Sequence, residues 1–234
     1  MPSALSRALH AAAFGWYALV LKSLMEKDEE QLPAAIFVYG GPWKYLTFLN
    51  LLLQLSYFGL ATLNDLRAAK HPDSPLSRGT DLLFSVFVFP VGMFVVVLFW
   101  TIFAYDRELV YPASIDSFFP PWINHSMHSL VLPVLLAELL LQPHRFPPTR
   151  HALAALGAVG SAYLSWIVWV YLSVGVWVYP VMAHFSSAGL AGFFLVNMSV
   201  LASLYALGEQ LSGRVWSKEL CIDPGATSPR GSCS

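Results

Sequence analysis

Charge is scarce in this sequence. Lys, Arg, Asp and Glu make up 12% of its 234 residues, about half the share of an ordinary soluble domain, which excludes a water-facing surface of the usual kind. The formal net charge is −1 and no basic tract runs along the chain, so the electrostatic footprint that nucleic-acid backbones require is absent. The only two cysteines, Cys221 and Cys233, lie in the polar C-terminal tail, so neither a disulfide framework nor a thiolate metal cluster holds the fold. No G-x-S-x-G stretch occurs, and no H-E-x-x-H; the first absence excludes the nucleophile elbow of soluble hydrolases, the second the helical zinc pair of metalloproteases.

What the chain has instead is apolar surface. Hydrophobic residues reach 56%, with eight Trp and ten Tyr. A membrane-crossing helix needs roughly 20 mostly apolar residues, and six windows qualify: about 8–25, 44–63, 82–104, 127–142, 152–173 and 188–211. The expected fold is therefore all-α, a polytopic membrane protein of six transmembrane helices. The first window resembles a secretory signal, with Arg7 as its flank and Ala11, Ala12 and Ala13 as a cleavage-like run, but it stays apolar to Leu24, which favours an uncleaved anchor.

With six spans, Arg7, Arg67, Lys70, Arg78, Arg145, Arg150, Arg214, Lys218 and Arg230 share one side, against Lys22, Lys27, Lys44 and Arg107 on the other. The positive-inside rule then puts both termini in the cytosol. Two regions follow: a membrane domain over residues 1–217 and a disordered cytosolic tail over 218–234, rich in Gly, Ser and Pro from Asp223 onward. The EKDEE run at 26–30 reads as a solvated loop. Cys221 is placed for acylation, although a spare tail cysteine is the blander reading.

A weak repeat recurs after the odd-numbered spans: Val38-Tyr39-Gly40, Val110-Tyr111-Pro112 and Val178-Tyr179-Pro180. It suggests three helical hairpins, or only the ordinary liking of Tyr for interfaces and of Gly and Pro for turns.

Polar residues inside spans are the candidates for chemistry. Lys44, Thr47, Asn50 and Gln54 recur at intervals of three and four, forming one stripe on the second span. Helix-to-helix hydrogen bonding explains such a stripe without any function. His125 and His128 lie three apart at the start of the fourth span, near Asn124, Ser126 and Ser129. Three chemistries fit them. Zinc would need a third ligand such as His184, Asp106 or Glu108; haem would need facing histidines at two depths, whereas His71, His144 and His151 lie in or beside loops; and a histidine base would need a hydroxyl such as Thr47, Ser126 or Ser129 within hydrogen-bond reach. Because the second and fourth spans both begin on the non-cytosolic face, Thr47 and His128 fall at similar depth. Glu138 lies deeper, too far along its helix to orient His128, and is expected to be protonated or bonded inside the bundle.

The stretches YGGPWKYLTFLNLLLQ (39–54), FPVGMFVVVLFWTIFAYDRELVYP (89–112), PWINHSMHSLVLP (121–133) and GVWVYP (175–180) resemble the family of androgen-induced gene 1 protein and androgen-dependent tissue-factor-pathway-inhibitor-regulating protein. The resemblance covers roughly residues 37–211. It implies a multispanning hydrolase of fatty acid esters of hydroxy fatty acids, with a threonine nucleophile in W-K-x-x-T, here Thr47, and a histidine in N-H-x-M-H, here His128. No cofactor or metal enters that chemistry. The partner is a lipid ester entering sideways from the bilayer, and the membrane is the plasma membrane or the endoplasmic reticulum. Lys44 or Arg107 is expected to meet the substrate carboxylate, and Asn50, Asn124, Tyr111 or Trp43 to donate to the oxyanion. The competing classes are a non-catalytic membrane regulator and a zinc-dependent lipid hydrolase.

Overall fold

The computed structural model describes residues 3–26, 39–67, 74–116 and 119–220. Lys27, Val38, Lys70, His71 and residues 221–234 of the expected disordered tail lie outside the described residues, whereas residues 218–220, expected in that tail, belong to the last helix. All regular elements among those described are helical: α1 (Ala4–Met25), α2 (Leu46–Arg67), α3 (Pro75–Leu83), α4 (Phe89–Tyr105), α5 (Pro121–His128), α6 (Val131–Leu141), α7 (Thr149–Val174) and α8 (Ser187–Leu220). They build six stretches long and apolar enough to cross a membrane, with α3 and α4 forming the third and α5 and α6 the fourth. The chain is a six-span helical membrane protein.

The third span has the highest mean hydropathy, 2.8, and lies at the centre. On one side of it α1, α2 and α6 pack through Tyr17, Leu51, Phe58, Phe89, Leu135 and Leu139. On the other, Phe94 meets Leu156 of α7 and Leu201 and Tyr205 of α8. Such a segment, apolar all round, has no preferred wet face and belongs inside. Gly92 permits the close approach: a Cβ there would stand 2.6 Å from Leu135 Cδ1 and 2.7 Å from Gln54 Nε2. α1 packs on α2 and α7 on α8, but α4 packs on α8 as well as on α6 and α2, so the spans are not divided into three separate hairpins.

Two spans are interrupted, each beside a proline. Pro90 has no N–H for the carbonyl four residues earlier, and the third span runs through a π-helical turn at Phe84–Val88; Gln54 Nε2 donates to the Val88 carbonyl at 3.3 Å. In the fourth span Pro133 has no N–H for the Ser129 carbonyl, which instead accepts from Leu132 N at 3.2 Å, while Leu130 N reaches back to His125 O. The helix breaks at Ser129–Leu130. This span begins at Pro121 rather than near residue 127, because Pro120-Pro121 suits a helix start, and His128 ends its first half.

Candidate active site

Thr47 is the second residue of α2. The helix begins later than the apolar pattern suggests, since Gly41–Lys44 forms a 3-10 turn and Tyr45 is extended, at φ −92° and ψ 124°. Lys44 therefore does not share a helical face with Thr47. Two tyrosines hold this junction: Leu46 N donates to Tyr179 Oη at 2.9 Å, Tyr163 Oη donates to the Lys44 carbonyl at 3.0 Å, and the two hydroxyls meet at 3.0 Å. Tyr179 belongs to the Val-Tyr-Pro echo, and its repeat partner Tyr111 packs edge-on against Phe99.

The structure brings Thr47 and His128 together, with Thr47 Oγ1 3.0 Å from His128 Nε2. His128 is 4% exposed. Phe99 of α4 stacks on its ring at 3.6 Å and 14°, and Nδ1 lies 2.8 Å from Asn124 Oδ1 and 3.1 Å from the Asn124 carbonyl. The break at Ser129 frees the His128 carbonyl, which accepts from Trp100 Nε1 at 2.8 Å. His125 lies apart: it is exposed, stacks on Trp100 and bonds Ser129 Oγ through Nδ1 at 3.0 Å.

Thr47 also lines an apolar cavity of about 160 Å³ bounded by α2, α4, α7 and α8, with Phe94, Phe99, Leu156, Gly160, Met198 and Leu201 among its walls. Its wall on α4 extends from Val91 to Ile102, roughly 16 Å at the helical rise. Among the described residues no charged side chain lines it. Thr47 thus borders apolar space while its hydroxyl bonds the imidazole.

Of the four side chains expected to hold substrate, none lines this cavity. Lys44 is 5% exposed, with its ammonium 5.4 Å from the Tyr45 ring centre, and burial pushes that ammonium below its ordinary range. Arg107 grips Asp116 with two bonds of 2.8 and 2.9 Å, a pairing that holds its guanidinium above the ordinary range. Asn50 is buried and accepts from Gln54 Nε2 at 3.1 Å, an interior bond along the polar stripe. Asn124 sits behind the histidine.

Among the described residues no group of three or more His, Cys, Asp or Glu is arranged to hold a metal ion. Asp106 and Glu108, considered as zinc ligands with the histidines, instead accept from the backbone of their own loop, at Glu108 N and Ala113 N.

At the opposite end of the bundle a second polar cluster lies buried. Glu138 accepts from Tyr57 Oη at 2.6 Å and meets His10 Nε2 at 2.9 Å and His144 Nε2 at 3.2 Å. The far nitrogens of these rings face Asp65 at 2.6 Å and Asp81 at 3.1 Å. Glu138 is thus bonded inside the bundle, as an acceptor. Burial alone would lower the affinity of His144 for its proton, but Asp81 and Glu138 outweigh it and push the group up to about 9. His10 carries only one sequence signal, that of an ionisable group inside an apolar window, which needs a partner; Asp65 lies just past the end of the second window, and nothing in the periodicity pairs the two.

Relatives of the whole chain place it. The FAR-17a/AIG1-like protein family matches residues 5–213. Human Androgen-dependent TFPI-regulating protein is 40% identical over 88% of this chain and 91% of its own length. The protein of that name from Mesocricetus auratus is 42% identical over the same shares, and human Androgen-induced gene 1 protein is 36% identical over 82% and 85%. No solved structure matches. With one family spanning all six helices and these identities sustained across most of both chains, the protein belongs to the FAR-17a/AIG1-like family.

Proposed function

We propose that this protein is an intramembrane hydrolase that cleaves fatty acid esters of hydroxy fatty acids, with Thr47 as nucleophile and His128 as general base. One observation carries the reading: a threonine hydroxyl 3.0 Å from a buried imidazole nitrogen, at the wall of an uncharged cavity. A surface hydroxyl beside a histidine is commonplace; one on a residue that borders apolar space has a use for a base and a place for an acyl chain.

In the proposed reaction the acyl chain occupies the cavity with its ester carbonyl at Thr47. Nε2 of His128 takes the Oγ1 proton as oxygen attacks the carbonyl carbon. The tetrahedral intermediate collapses, the C–O bond to the hydroxy fatty acid breaks, and the imidazolium protonates that leaving oxygen. Water then attacks the acyl-threonine, giving a proton to His128, which returns it to Oγ1 as the free acid departs. Thr47 stands in the first turn of α2; there Leu46 N is taken by Tyr179 Oη and the N–H groups of Phe48 and Leu49 by the Tyr45 carbonyl, and the helix end carries partial positive charge. Negative charge developing on the carbonyl oxygen is stabilised there. Both termini face the cytosol in this reading, the site opens toward the other leaflet, and the ester enters from the bilayer.

Purified protein given a branched fatty acid ester provides the test, with Thr47→Ala and His128→Ala beside it and a fluorophosphonate probe as a second readout. Turnover lost in both variants, with labelling lost in Thr47→Ala, supports the reading. Wild-type protein that is folded but inert toward ester and probe alike overturns it in favour of a non-catalytic regulator.

A further inference from the structure

We infer that Asn124 is a positioning residue that holds His128 in the tautomer able to act on Thr47; this rests on the hydrolase reading above. Asn124 and His128 are four apart in α5, so their side chains stack on one helix face. The imidazole Nδ1 is met by two oxygens of the same residue, the amide Oδ1 at 2.8 Å and the backbone carbonyl at 3.1 Å.

The tautomer follows from the backbone oxygen. An amide side chain can present oxygen or nitrogen, and the two orientations have opposite consequences for the ring. A backbone carbonyl only accepts, so the hydrogen-bonded Nδ1 carries its hydrogen, and Oδ1 rather than the amide nitrogen faces it. Neutral imidazole has a single N–H. Nε2 is therefore the bare nitrogen, and it is the atom 3.0 Å from Thr47 Oγ1. With the other tautomer Nε2 would donate to the threonine and would take no proton from it.

Neutrality of the partner suits the place. Asn124 is 8% and His128 4% exposed, and a carboxylate behind the ring would be an ionised group buried beside a neutral imidazole before any proton moves, at a high desolvation cost. The amide oxygen orients the resting ring without that charge, and both Asn124 oxygens stabilise the imidazolium once the threonine proton arrives. Phe99, stacked at 3.6 Å, fixes the ring plane, and Asn124 fixes its rotation within that plane. The asparagine does not line the cavity and bonds the histidine, so it acts through that ring.

Steady-state turnover by full-length Asn124→Ala, Asn124→Leu and Asn124→Asp tests the assignment, with rates normalised to folded protein by fluorescence-detected size exclusion. The backbone carbonyl remains and still favours the Nδ1–H tautomer, but the ring loses the nearer of its two acceptors and turns more freely, so Ala and Leu are expected to lower kcat about 10- to 100-fold with KM within about twofold. Asp retains an acceptor oxygen on a side chain of the same length and is expected to recover most of the rate per folded molecule, its desolvation cost appearing as lower stability. Wild-type kcat in the folded Ala and Leu variants, a loss expressed mainly in KM, or no recovery with a folded Asp variant overturns it. Thr47→Ala separates the two readings: if it keeps wild-type turnover the hydrolase reading itself falls, whereas if Thr47→Ala and His128→Ala are inert and Asn124→Ala is fully active, only the positioning role falls.

Discussion

The carbonyl of His128 accepts a hydrogen bond from the indole of Trp100 at 2.8 Å, in the place that an unbroken helix would give to the backbone N–H of Leu132. Leu132 N is engaged by Ser129 O instead, because Pro133 has no N–H to offer that carbonyl. A proline five residues downstream thus frees the histidine backbone, and a tryptophan from the neighbouring span secures it. Trp100→Phe removes the donor and leaves a buried carbonyl unsatisfied. Stability should fall by about 1–3 kcal/mol, and ester turnover by about 10-fold or more as the ring loses its position; thermal unfolding and kcat on one preparation check both.

Pro133→Ala should separate stability from activity. An alanine there supplies the missing N–H and is a far better helix former, so the thermal midpoint is expected to hold or rise. The Ser129 kink then straightens and His128 swings away from Thr47, and turnover falls at least about 10-fold. Wild-type kcat in a folded Pro133→Ala protein would show that the kink has no part in setting the pair.

Gly160 bears on chain length. A Cβ at this position would stand 2.8 Å from Met198 Sδ, and both residues line the cavity. Gly160→Leu should fill the space assigned to the acyl chain in the proposed reaction. Turnover of long-acyl esters is expected to drop about 10-fold or more, while short-acyl esters stay within about threefold of wild type. Equal losses on both would place the chain elsewhere.

Glu138→Gln should unsettle the fold and spare the chemistry. The carboxylate draws together His10, Tyr57 and His144 from three parts of the chain, and removing one member of a buried ionic group costs about 3–5 kcal/mol. Glu138 is about 15 Å along the span from His128 by helix rise, so kcat per folded molecule should remain close to wild type. The thermal midpoint and the folded fraction report the loss.

The same cluster sets an alkaline limit. His144 is held protonated up to about 9, above its ordinary value near 6.5. A group whose folded-state affinity for protons is raised stabilises the fold fully below its unfolded value and ceases to do so as pH climbs through the folded one. Thermal midpoints should therefore fall between about pH 6.5 and pH 9, and Asp81→Asn should shift the fall to lower pH. A flat profile over this window would mean that His144 carries no charge in the folded protein.

Much of the fold was legible because lipid enforces a simple rule: polar backbone must be bonded within its own helix, so apolar runs of sufficient length are helices. The six spans followed from that, with their ends misjudged where proline and glycine govern. The 3-10 turn at Gly41–Lys44 removed Lys44 from the face of Thr47, and Pro120-Pro121 began the fourth span early. Depth matching suggested Thr47 and His128 as neighbours, but depth is one coordinate of three. The cluster of His10, Asp65, Asp81, Glu138 and His144 was not legible, since its members are spread over most of the chain and each alone reads as a stray polar group.

From composition and the spacing of apolar windows, the sequence by itself determined a helical bundle of six membrane spans and offered Thr47, Ser126 and Ser129 as hydroxyls beside His125 and His128, a choice that the family resemblance narrowed to Thr47 and His128. Tertiary structure alone decided their 3.0 Å separation, the asparagine behind the ring, the cavity in front of the threonine and the buried ionic cluster at the other end. Helical periodicity states which way a residue faces on its own helix; rotation and tilt of one helix against another come from side-chain packing among all six, which no single window encodes.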